Sequence, residues 1–148
     1  MLGGDGACWS EPGWSRPWTF GVQDPRDTVS RKVLLRLRAT GGAVVTSGGY
    51  YRYHEIAGRR YSHVLDPRTG RPVETAVASA TVIHREGAAA DALATACMVL
   101  GARDGIALLT RLAQSPAGRG EAEGLILESR DGRLVRRATP GFAAYEAP

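Results

Sequence analysis

Asp91 and Thr95 stand four residues apart in the run Ala90-Asp91-Ala92-Leu93-Ala94-Thr95-Ala96. In a helix that spacing stacks a carboxylate and a hydroxyl on one face. Two hard oxygens so placed suit Mg²⁺, which keeps several waters and takes further oxygens from substrate phosphates. A structural reading of the pair also holds, because an aspartate in a first helical turn complements the helix dipole. His63 is the second candidate. It lies in Tyr61-Ser62-His63-Val64-Leu65-Asp66-Pro67-Arg68-Thr69-Gly70-Arg71-Pro72, a short apolar-polar run stopped by a dense turn signal. A histidine near a strand end can reach into a cleft as acid, base or ligand clamp, or it can serve the structure alone. Asp66 is placed to cap its own turn and Gly70 to relax the backbone. Thr46-Ser47-Gly48-Gly49 closes a β-branched strand with small residues. These either let a ligand approach the backbone closely or simply turn the chain. His54 and His84 receive no role. There is no GxxxxGK[ST] loop, and Gly3-Gly4-Asp5-Gly6 lacks the spacing of a dinucleotide fingerprint.

These groups need elements to hold them. Trp18–Val22, Val33–Arg38, Ala43–Ser47 and Tyr50–Ile56 read as strands, the last being aromatic-rich and alternating. Ala57-Gly58-Arg59 is a hairpin-length connection to a partner strand over Arg60–Leu65. Ala78–His84 is a further strand. From Gly87 the period changes: Ala88–Leu100 is alanine-rich and helical, with Gly101 placed to end it. Asp104–Leu112 forms a second helix, followed by a loop at Gly118-Arg119-Gly120. Gly124–Glu128 and Leu134–Arg137 make a hairpin around Asp131-Gly132, and the tail after Thr139 is expected to form one helical turn. Strands, then two consecutive helices, then a hairpin predict an α+β fold with a mainly antiparallel sheet.

Composition narrows the function classes. The 148 residues suggest one domain, and 43% hydrophobic with 23% charged residues is ordinary for a globular chain. A formal charge of +4 invites a nucleic-acid reading, but Lys32 is the only lysine and the arginines are scattered from Arg16 to Arg137. Without a clustered basic track the expectation is no nucleic-acid partner. No uninterrupted apolar run reaches eighteen residues, so no membrane-spanning segment is expected. No leader is legible at Met1–Gly6, which predicts a cytoplasmic chain as written. Cys8 and Cys97 lack a CxxC partner, and Cys97 reads as a small buried apolar residue.

Taken in order, Gly3-Gly4-Asp5, Thr46-Ser47-Gly48, Tyr61–Pro72 and Ala90–Ala96 resemble the C-terminal half of the ApbE-type FAD:protein FMN transferases. The resemblance runs from about residue 2 to the final hairpin. It implies an enzyme that takes FAD, uses Mg²⁺ and transfers FMN to a Ser or Thr hydroxyl of a target flavoprotein, releasing AMP. It makes Asp91 and Thr95 Mg²⁺ ligands, His63 a catalytic or flavin-holding residue, and Leu65 a contact to FAD. Ser47, Gly48 and Asp5 match segments lining the same cleft. Three positions depart from the family pattern: Gly49 where many members have aspartate, Gly6-Ala7 where Ile-Arg is common, and Ala94 where some members carry another acid.

The resemblance further implies a part of a larger α+β fold. The family's N-terminal half, with a further metal contact and much of the FAD pocket, is not matched, and an exported or membrane-anchored member would carry its leader there. Two other readings are a catalytically inactive remnant that binds flavin or a protein partner, and an unrelated α+β interaction module.

Overall fold

The computed structural model describes residues 6–8, 16–27, 29, 32–49, 53–115 and 122–148. The Gly3-Gly4-Asp5 motif, the start of the expected strand at Tyr50–Arg52 and the loop at Gly118–Gly120 lie outside these residues. In chain order the strands are β1 (Gly6–Cys8), β2 (Trp18–Gln23), β3 (Val33–Ala39), β4 (Gly42–Gly48), β5 (Tyr53–Ile56) and β6 (Arg59–Ser62). They continue with β7 (Leu65–Asp66), β8 (Arg71–Pro72), β9 (Val77–His84), β10 (Glu123–Arg130), β11 (Arg133–Ala138) and β12 (Glu146–Ala147). Helix α1 spans Gly87–Gln114, and a 3₁₀ turn covers Phe142–Tyr145. The α+β expectation holds, and every strand pair among the described residues is antiparallel.

The sheet is not single, as the sequence reading had it. β1-β4-β9-β10-β11 form a five-stranded central sheet, and β12-β3-β2 form a separate three-stranded one. The physical reason lies in the middle strands, which are apolar at both parities and so must bury both faces. Ala43, Val45, Ala80, Val82 and Ile126 join one core with Ala90, Ala94, Cys97 and Met98 of α1. Their alternating neighbours Val44, Ile83, Leu125 and Leu127 join a second core with Val22, Leu37 and Phe142. Helix, sheet and sheet therefore stack in three layers. The fully buried Phe142 on the 3₁₀ turn fills the second core, and the Arg136–Glu146 ion pair ties β11 to β12.

The two expected helices are present, running end to end within Gly87–Gln114 and parted by a kink at Gly101. Its φ of 82° and ψ of 170° leave the helical region, which glycine tolerates without a Cβ penalty. The break lets both halves follow the sheet. The buried stripe Ala90, Ala94, Cys97, Met98, Ala102, Gly105 and Leu109 is mostly small. Small residues bring the helix close: a Cβ on Gly105 would sit 2.9 Å from Ile126 Cδ1. By length and composition α1 is apolar enough to cross a membrane, with mean hydropathy 1.5. That stripe is packed against β4, β9 and β10, as in a core helix.

Candidate functional site

β4 runs antiparallel to β9, with Ser47 opposite Ala80 and Gly48 opposite Ser79. Side chains alternate along β4. Thr46 faces the second sheet's side, where its Oγ1 lies 2.9 Å from Thr81 Oγ1. Ser47 points to the other face, toward α1. There its Oγ shares a hydrogen bond of 3.2 Å with Thr95 Oγ1. Two residues 48 positions apart in the chain are thereby joined. Thr95 and Asp91 are both exposed, while Ala90 and Ala94 beside them are fully buried. Burial of the alanines fixes the helix face, and the Asp91/Thr95 pair follows one step round its edge. Ala94, at the position where an acidic residue is sometimes found, belongs to the core.

This donor set is all oxygen: one carboxylate and two hydroxyls. Among the described residues no group of three or more His, Cys, Asp or Glu side chains is gathered. One carboxylate with neutral oxygens fits Mg²⁺, which prefers oxygen ligands and completes its shell with water and phosphate. The residues present thus fit the cation that the sequence reading assigned to Asp91 and Thr95.

The other candidates stand on a ribbon. The expected strand over Arg60–Leu65 ends at Ser62, and His63 lies in a bend before the two-residue β7. Ser62 causes the interruption by accepting the Val64 N–H on its Oγ at 3.1 Å. Val64 then turns inward to 8% exposure and joins the core that holds Val45, Ala90 and Ala94. Its carbonyl accepts the Val73 N–H at 2.9 Å, which closes the ribbon. With Val64 inside, its neighbours His63 and Leu65 are exposed, Leu65 to 55%.

Asp66 behaves as the sequence predicts. Its carbonyl accepts the N–H groups of Thr69 (3.1 Å) and Gly70 (2.8 Å), and Gly70 adopts φ 66°. Its carboxylate takes the Arg68 guanidinium at 2.7 Å, with Arg68 N–H at 2.9 Å. The Arg68 side chain, followed by its backbone N–H, holds the Asp66 carboxyl down to about 2. His54, Tyr61, Ser62, His63, Leu65 and Pro72 line one open depression of about 480 Å³. His54 was given no role on sequence grounds. The signal that could have raised it is the hairpin pairing itself, which sets His54 opposite Tyr61. Asp5 lies outside the described residues. The ribbon and the Ser47–Thr95 seat meet through the shared core, where Val64 joins Ala90 and Ala94.

Comparison with known proteins gives this arrangement its relatives. A FAD:protein FMN transferase of Treponema pallidum (strain Nichols) is 45% identical over 92 residues, which is 62% of this chain and 25% of that protein. One of Vibrio cholerae is 40% identical over 93 residues, 62% of this chain and 27% of that protein. The crystal structure of the ApbE protein from Thermotoga maritima is similar at a TM-score of 0.78 and 33% identity, covering 99% of this chain and 43% of that one. The flavin transferase ApbE from Vibrio cholerae gives a TM-score of 0.66 at 30% identity, over 87% of this chain and 38% of that one. The chain thus spans about a quarter of the curated relatives it matches. Residues 1–117 match the description of the ApbE family, and with the three-layer fold also shared, the chain belongs to the ApbE family.

Proposed function

We propose that this chain carries the metal-binding and flavin-facing walls of a site that transfers FMN from FAD to a Ser or Thr hydroxyl of a target flavoprotein. The observation that supports it most is the Ser47–Thr95 contact. It joins the small strand end to the helix bearing Asp91, on the core that also seats Val64 between His63 and Leu65. Asp91 and Thr95 would hold Mg²⁺, which offsets charge developing on the phosphoryl oxygens. Ser47 fixes the Thr95 hydroxyl on its side of the helix, and Gly48 keeps the strand end narrow. Leu65 offers the flavin an apolar face. His63 accepts the proton of the acceptor hydroxyl as that oxygen bonds to the FMN phosphorus. The pyrophosphate P–O bond then breaks, and AMP leaves with the electron pair.

The test is a hybrid in which this chain replaces the matching segment of the Thermotoga maritima relative. Flavin fluorescence and mass of a Thr-bearing acceptor read the transfer. The expected result is FMN attachment that EDTA stops and that Asp91→Ala lowers by about 10³-fold, the scale of a lost metal contact. Transfer at an undiminished rate by the Asp91→Ala hybrid removes the metal assignment. His63→Ala is expected to slow transfer by about 10²-fold while FAD affinity changes less; the reverse pattern makes His63 a binding residue only. The 148-residue chain alone is expected to bind flavin without transferring it. A hybrid that binds FAD yet never labels the acceptor favours the inactive-binder reading.

A further inference from the structure

His54 and Tyr61 are paired across the β5–β6 hairpin, so their side chains rise on the same face. His63 follows Tyr61 by two residues, and all three line the depression completed by Ser62, Leu65 and Pro72. That is two imidazoles, one phenol ring and two apolar side chains around about 480 Å³, within the size range of a small-molecule site. His54 is exposed and has no hydrogen-bond or ion-pair partner among the described residues. Among the described residues no structural use for its ring is found. An exposed imidazole in a largely apolar depression is suited to contact a flat heteroaromatic ring by its face.

We propose that His54 is a further ligand-contacting residue of this site, packing its imidazole face on the isoalloxazine ring of the flavin. The inference rests on the reading that His63 and Leu65 face the flavin. It adds a residue that neither the motif nor the spacing singled out. FAD carries two flat rings, and adenine shares the relevant chemistry. Leu65 in the same depression, read as the flavin's apolar face, selects the isoalloxazine ring.

Binding to the 148-residue chain tests it, with FMN as the flavin-only probe and AMP as the adenine-only probe, read by flavin fluorescence quenching and calorimetry. His54→Ala is expected to weaken FMN about 5- to 10-fold, the scale of one ring-on-ring contact, with AMP affinity unchanged. His54→Phe, which keeps the flat ring, should stay within about 2-fold of the parent, whereas His54→Gln should weaken FMN as Ala does. Circular dichroism and melting confirm that each variant is folded. The proposal is overturned if His54→Ala binds FMN like the parent, if Gln preserves binding and Phe does not, or if AMP is the probe that weakens. Leu65→Asp separates the two readings. If it abolishes FMN binding while His54→Ala does not, only the His54 assignment fails. If FMN binding is absent, or indifferent to Leu65→Asp, the flavin-facing reading itself fails.

Discussion

Thr95 stands on a helix packed along three strands of the central sheet, whereas His63 stands in a bend between strands of four and two residues. Around Thr95 the supports are redundant. Ala90, Ala94, Cys97 and Met98 are all buried below it, and Ser47 meets it from β4. Around His63 the apolar anchors of the ribbon are Val64, buried and worth about 1.5–3 kcal/mol, and the partly buried Val73, which are fewer than those beneath Thr95. The difference teaches that the proposed metal seat is set when the body folds, while the flavin wall is attached locally and can loosen without the body noticing. Such local opening is the ordinary behaviour of segments with few buried contacts.

The largest expected effect breaks the body. A Cβ at Gly124 would collide with Leu109 Cδ1 and lie 3.2 Å from the Thr81 carbonyl oxygen, where helix and sheet meet. Gly124→Ala should cost about 1–3 kcal/mol and lower Tm by roughly 5–10 °C, with FMN affinity of the folded protein unchanged. A Tm equal to the parent's would show that the two layers have slack. Val64→Ala comes next, at about 1–2 kcal/mol. Because the loss is confined to the ribbon, it should weaken FMN binding and speed amide exchange over 61–72 while Tm moves little. A fall in Tm as large as that of Gly124→Ala would mean that the ribbon and the body unfold together.

The smallest effect lies in the Asp66–Arg68 pair. The folded carboxyl titrates near 2 rather than at its ordinary 3.8. A depressed carboxyl contributes stability that is present above about pH 4 and lost as pH falls toward 2. Exposure screens this pair, so the expectation is a small acid loosening of the ribbon, followed by exchange or by FMN binding, that Arg68→Ala removes. An identical acid response in Arg68→Ala would assign the loosening to other carboxyls.

The sequence was legible where local chemistry decides. The helix start near Gly87, the break at Gly101 and the final hairpin all emerged from pattern. At that hairpin, Asp131 and Gly132 both adopt positive φ, the conformation that an Asp-Gly turn favours. The second sheet was missed, although Ala43-Val44-Val45 and Leu125-Ile126-Leu127 were apolar at both parities, which is the mark of a strand covered twice. The interruption at His63 was also missed. Tyr61–Leu65 reads as a plain strand until Ser62 Oγ captures the Val64 N–H, a choice that depends on Val64 finding a core elsewhere. The Ser47–Thr95 contact was beyond local reading, because nothing in either segment announces a partner 48 residues away. His54 escaped for the same reason: its meaning lies in what stands across the hairpin.

Cys97 is fully buried, and burial pushes its thiol up to about 12. It sits two residues beyond Thr95, on the same helical half as Asp91. A thiol so protonated is inert to alkylating reagents at neutral pH while the helix stays seated. The protein therefore carries its own silent reporter beneath the proposed metal seat. Alkylation at Cys97, told apart from Cys8 by peptide mass, measures how often that half of the helix lifts from the sheet.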